Sequence, residues 1–132
     1  MPVKNITRNT IIASSSKVAD SILGRAVGLM FSKPTQSAMI LKFGREMPIS
    51  LHTYFVFYPI DILFVDSRLR VVETAIMQPF AFYSAKKKAS CVVELPAGTI
   101  KKTKTKVGDK LAFLEVVEKK LENGRSITVR RA

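Results

Sequence analysis

Few residues in this sequence have the chemistry of a reactive site. There is one histidine, His52, and one cysteine, Cys91. Two carboxylates, Asp61 and Glu94, lie inside otherwise apolar runs. Paired as thiolate and imidazole, Cys91 and His52 would make an activated nucleophile. Cys91, however, sits in Ser-Cys-Val-Val-Glu-Leu, whose alternation would bury one face, so a small core thiol is the simpler reading. Asp61 and Glu94 on neighbouring strands would suit general acid–base work, with His52 as a third member. Carboxylates in such runs also face solvent or accept structural hydrogen bonds from turn amides. These three residues, His52, Asp61 and Glu94, are the catalytic candidates for a small-substrate hydrolase or lyase.

Other constellations are excluded more firmly. A zinc site built from Cys and His needs three or four such ligands, so no metal site is expected. Neither the Walker pattern nor the dinucleotide fingerprint occurs, and no cofactor is implied. The Gly-x-Ser-x-Gly elbow of serine hydrolases is also missing. This inventory favours a non-enzymatic domain that binds a ligand or partner. The strand-like run Tyr54 to Tyr58 is richer in rings than one core face needs. Rings turned outward would form an apolar patch of the kind used for interaction or self-association, including homo-oligomerisation.

Charge points to a different partner. Lys plus Arg is 22 against 10 Asp plus Glu, giving +12 and a pI near 10.2. Seven lysines fall between positions 86 and 106, against one acid, Glu94. They form two runs, Lys86-Lys87-Lys88 and Lys101, Lys102, Lys104 and Lys106. Such a field attracts nucleic acid and other polyanions without reading their sequence, because lysine is a point charge with no fork for base edges. Phe80, Phe82 and Tyr83 precede the first run and suit stacking of unpaired bases. A solvated loop is the alternative reading of either run.

The elements that must position these residues are mostly strands. The 132 residues, 47% of them hydrophobic, amount to a single domain with one real core, positions 1–132. Apolar residues at Val18, Ile22, Ala26, Leu29 and Met30 have the spacing of a helix face, weakened by Gly24 and Gly28 and ended by Pro34. Strands are expected at Asn9–Ala13, Ala38–Phe43, Leu51–Tyr58, Ile60–Val65, Val71–Met77, Ser90–Leu95, Leu111–Val117 and Ile127–Val129. Asp66-Ser67-Arg68 and Asn123-Gly124 supply turn chemistry between pairs of them. About eight short strands with one or two short helices, and a turn every ten residues or so, predict an antiparallel β-sandwich or small barrel. The most apolar stretch, Tyr54 to Val65, contains Pro59 and Asp61 and is too short to span a bilayer. With no apolar leader after Met1 and with a free Cys91, a cytoplasmic protein is expected.

Four segments, in order, are similar to one family. Gly24-Arg25-Ala26-Val27-Gly28-Leu29-Met30-Phe31 is followed by Phe57-Tyr58-Pro59-Ile60-Asp61-Ile62-Leu63-Phe64-Val65-Asp66. Glu94-Leu95-Pro96-Ala97-Gly98 and Val107-Gly108-Asp109 complete the set. Over positions 24–111 the chain resembles domain of unknown function 192. His52-Thr53-Tyr54-Phe55 stands where bacterial members carry Trp-Met-Lys-Asn, which resembles archaeal members. The resemblance implies a compact, mostly β domain of sandwich or barrel type and no assigned activity. It also implies architectural roles for the motif residues, with Asp61 and Asp109 capping turns and the glycines and prolines shaping corners.

Overall fold

The structure is a computed structural model that describes residues 1–21, 24–25, 28–30, 32–118, 124 and 127–131. Eleven strands are found among the described residues: β1 (Val3–Asn5), β2 (Thr10–Ala13), β3 (Ser16–Ala19), β4 (Ala38–Met47), β5 (Ser50–His52), β6 (Ile60–Val65), β7 (Val71–Met77), β8 (Phe82–Ser84), β9 (Ala89–Pro96), β10 (Leu111–Glu118) and β11 (Ile127–Arg131). One short helix, α1 (Thr99–Thr103), follows β9.

A five-stranded sheet of order β3-β4-β9-β6-β7 forms the middle layer. A four-stranded sheet, β11-β10-β1-β2, covers one face, and a two-stranded ribbon, β5-β8, covers the other. The middle of this sheet is therefore covered on both sides, and all six residues of β6 are buried. Alternation along the strands sorts them. Leu63, Val65, Cys91, Val93 and Leu95 join Val3, Leu111 and Phe113 in the first core. Ile60, Ile62, Phe64 and Val92 join Ile49, Leu51 and Val56 in the second. The fold is mostly β and layered, and its described sheets do not close into a barrel.

Several expectations are met. β6 and β7 form the antiparallel hairpin, closed by Asp66, whose Oδ1 accepts from the Arg68 and Arg70 amides at 2.9 Å each. β10 and β11 pair antiparallel, while most of the Asn123-Gly124 turn between them lies outside the described residues.

Others need correction. Val18 belongs to a strand, not a helix, because β3 lies parallel to β4 with Val18 opposite Ile40. The fold is thus not wholly antiparallel. Gly24 and Arg25 are helical, and Gly28–Met30 form a turn; Ile22, Ala26 and Phe31 lie outside the described residues. The strand expected over Leu51–Tyr58 stops at His52. Thr53 stops it: its Oγ1 donates to the Gln78 carbonyl at 2.6 Å and accepts from the Ala81 amide at 2.7 Å. Its own carbonyl accepts from Val56 and Phe80, and Phe55 turns to φ 61°. Local hydrogen bonding here overrides the β preference of the aromatic run.

Candidate functional site

Glu94 occupies the middle strand of the middle layer, opposite Met39 on β4 and Ile62 on β6. It points with Val92 to the ribbon side, where its side chain is 7% exposed. Its Oε2 is buried and has no hydrogen-bond partner among the described residues. Burial without a counter-charge pushes the carboxyl up to about 7.

The space above Glu94 is a pocket of about 210 Å³. Its walls are mainly apolar, and Arg25, Ser50, His52 and Glu94 are its polar members. The turn at Gly28 roofs the acid. Gly28 has φ 47°, and a Cβ there would stand 3.9 Å from Oε2. Arg25 is fixed at the rim: its Nη1 donates to the Asp20 carbonyl at 2.7 Å and the Lys42 carbonyl at 3.0 Å. The guanidinium lies 4.9 Å from the Phe43 ring centroid. His52, at the end of β5, stacks on Tyr54 at 4.9 Å, and its Nδ1 accepts from the Tyr54 amide at 3.2 Å. A second pocket of about 220 Å³, with Tyr58, Pro34 and Pro96 in its walls, shares Leu29, Ile60 and Glu94 with the first.

Of the three candidate catalytic residues, the structure brings together two. His52 and Glu94 line one pocket, whereas Asp61 does not reach it. Asp61 stands opposite Leu95, one register step from Glu94, and points with Leu63 into the other face. There its Oδ2 accepts from the Ile100 amide at 2.8 Å, tying β6 to the start of α1. The acid pair is therefore not formed, and Asp61 is placed as a cap. Cys91 and His52 are also apart. Cys91 lies in the first core, where burial pushes its thiol up to about 12, far from a thiolate at neutral pH. Arg25 was not among the residues singled out as candidates. Its signal was a lone arginine between two glycines, and its role appears only when β4 supplies a carbonyl and a ring. Among the described residues, no three His, Cys, Asp or Glu side chains are grouped to hold a metal ion.

The lysine candidates are all exposed: Lys86, Lys87, Lys88, Lys101, Lys102, Lys104 and Lys106. The amides of Lys86 and Lys87 donate to Glu73 Oε1 at 2.8 and 3.0 Å, folding the first run against β7. In the second run the interleaved Thr103 and Thr105 turn inward and hydrogen-bond to each other at 2.7 Å, leaving the lysines outward. The first run precedes β9, and Lys101 and Lys102 follow it; eight residues of strand separate their ends by about 26 Å. The rings of Phe55, Phe57 and Phe80 are exposed and meet edge-on at 5.9 and 5.4 Å, with Phe82 also exposed.

A layered β domain of this kind is a fold already represented among known proteins. The chain matches domain of unknown function 192, described as Uncharacterized ACR, over residues 3–113, and belongs to that family. It is 34% identical over 112 residues to the UPF0127 protein PH1112 of Pyrococcus horikoshii, covering 84% of this chain and 97% of that one. It is 32% identical over 114 residues to the UPF0127 protein PF1050 of Pyrococcus furiosus, covering 86% and 98%. The crystal structure of a protein of unknown function from Novosphingobium aromaticivorans superposes with a TM-score of 0.74 at 23% identity, covering 86% of this chain and 84% of that one. That likeness is one of fold. No helix among the described residues is long and apolar enough to cross a membrane.

Proposed function

We propose that this chain is a small-ligand-binding domain whose site is the pocket over Glu94, and that it has no catalytic function. One observation carries the reading: Glu94 Oε2 is buried at a pocket wall with no hydrogen-bond partner among the described residues. An unmade hydrogen bond at a buried carboxyl costs on the order of 1–3 kcal/mol, and a ligand that donates to it removes that cost. Apolar walls with a few convergent polar groups and one perturbed acid are the usual make-up of a ligand site. The isolation of Glu94 from Asp61 and Cys91 leaves the pocket with neither a carboxylate pair nor a thiol nucleophile. The test is protein-observed NMR with a library of fragment-sized molecules. Saturable shifts confined to Met30, Leu51, His52 and Glu94 are expected. Shifts scattered over the surface, or none at all, would remove the proposal.

A second reading is sequence-independent polyanion binding, supported by the outward placement of all seven lysines and by exposed Phe80 and Phe82. It uses a different surface and excludes nothing above.

A further inference from the structure

The pocket holds an acid and a base that do not pair. Arg25 and Glu94 both line it, yet the ion pair among the described residues is Arg8–Asp109. The reason is geometric. The Asp20 and Lys42 carbonyls and the Phe43 ring hold the guanidinium at the rim, while β9 holds the carboxyl below the Gly28 turn. Both carbonyl bonds use Nη1, so Nε and Nη2 of Arg25 keep donors with no acceptor among the described residues. The two free ends, kept apart across one pocket, ask for a ligand that carries both partners.

We infer that this ligand is a small zwitterion of the free α-amino-acid class, its ammonium on the Glu94 carboxyl and its carboxylate toward the Arg25 guanidinium. The inference rests on the pocket being a ligand site. A simple anion would meet Arg25 but bring no donor to the Glu94 carboxylate. A simple cation would meet Glu94 but stand beside the fixed guanidinium. A zwitterion satisfies both, and charge-assisted hydrogen bonds of this kind are the stronger ones. Volume and lining then choose the side chain. About 210 Å³ walled by Leu29, Met30, Leu51, Val56 and Ile60 takes an aliphatic residue of about the size of leucine. Gly28, at φ 47°, takes the left-handed turn that carries the backbone over Oε2.

The experiment titrates isotope-labelled full chain with three probes: L-leucine, isoamylamine (leucine without its carboxylate) and isocaproate (leucine without its amine). Leucine is expected to move the amides of Met30, Leu51, His52 and Glu94 and to bind at least about tenfold tighter than either truncated probe. Glu94→Gln keeps the side chain's shape and should erase the advantage of leucine over isocaproate. Arg25→Met should erase its advantage over isoamylamine. Because the three-probe comparison on the unaltered chain needs no variant, a misfolded variant does not weaken the test. Leucine binding no tighter than either truncated probe overturns the inference, while pocket shifts from those probes leave the ligand-site reading standing. No pocket shift with leucine also overturns it, and the fragment library then decides the broader reading alone.

Discussion

Asp61 on β6 and Glu94 on β9 are buried acids on neighbouring strands, one register step apart, and that step sends them to opposite faces of the middle sheet. On the face covered by the four-stranded sheet, each acid accepts at least one hydrogen bond, although Asp61 Oδ1 is buried without a partner among the described residues. Asp61 receives the Ile100 amide, and Asp109 Oδ2 receives Asn5 Nδ2 at 2.9 Å, Arg8 Nε at 3.1 Å and the Lys106 amide at 2.9 Å. On the face covered by the ribbon, Glu94 receives nothing at Oε2 and opens into two pockets. The same residue chemistry is architecture on one side and an unfilled site on the other. What separates them is the supply of donors. Turn amides and Asn5 converge on the first face, whereas the walls around Glu94 are mainly apolar and the polar Arg25, Ser50 and His52 make no hydrogen bond to Oε2.

The comparison is broken most severely at Asp109. Replacing it by Ala strips three donors of their acceptor, all three bonds being buried or part-buried. Asp109→Ala is expected to cost about 3 kcal/mol, read as a shift of the urea midpoint at unchanged slope. Its pH dependence has a definite sign. Burial raises the Asp109 carboxyl, but the bonds from Asn5, Arg8 and the Lys106 amide outweigh it and hold the group below its ordinary value. Its stabilisation is therefore present at neutral pH and lost as pH falls below the normal carboxylate range. A variant as stable as the parent at neutral pH would deny Asp109 this role.

Glu94 carries the opposite sign. Its folded value of about 7 lies above the ordinary carboxylate value, so between those two the native state holds a proton that the unfolded chain has released. Stability then falls as pH rises from about 4.5 to about 7, by about 3 kcal/mol in all. Glu94→Gln cannot ionise and should lose this decline. Denaturant unfolding of both proteins at pH 5 and pH 8 checks it: near equality at the lower pH, and a more stable variant at the higher (about, in each case, the limits of the titration). Parallel curves across the range would mean that Glu94 finds a partner in solution.

How much of this was legible in the sequence depends on whether the cause is local. The hairpin of β6 and β7 was readable because Asp66 caps its own turn two and four residues on. The rings Tyr54 to Tyr58 were misread as strand because the residue that ends β5, Thr53, finds its partners at Gln78 and Ala81. Val18 fitted a helical spacing with Leu29 and Met30, but four residues of β3 pair with β4, some twenty positions away. Glu94 was legible as a candidate acid within an apolar run. Its separation from Asp61 was not, since a single step of register decides the face. Arg25 depends on a carbonyl and a ring of β4, which no local pattern announces.

A smaller effect is expected at Asp61. Asp61→Ala removes the acceptor of the Ile100 amide and should cost about 1–2 kcal/mol, without changing the affinity of any molecule that occupies the Glu94 pocket. Equal loss of stability and of ligand affinity would join the two faces into one site and dissolve the contrast between them.

The smallest effect on folding is expected at the lysines, and it separates the outer surface from both faces of the sheet. Lys101, Lys102, Lys104 and Lys106 are exposed, while the threonines between them carry the inward hydrogen bonds. Changing the four lysines to Ser should therefore alter stability by no more than about 0.5 kcal/mol and leave occupancy of the Glu94 pocket unchanged. Polyanion binding responds differently. Each phosphate neutralised on a duplex adds about −0.9 to the slope of log K against log salt, so four or five engaged lysines give a slope near ~−4. The quadruple variant should flatten that slope and weaken binding equally on unrelated sequences, because lysine carries charge without a fork to read base edges. Filter binding across a salt series measures both quantities. An unaltered chain that fails to bind RNA or DNA at low salt would make these lysines solvated surface only, and the pocket over Glu94 would stand as the single proposed site.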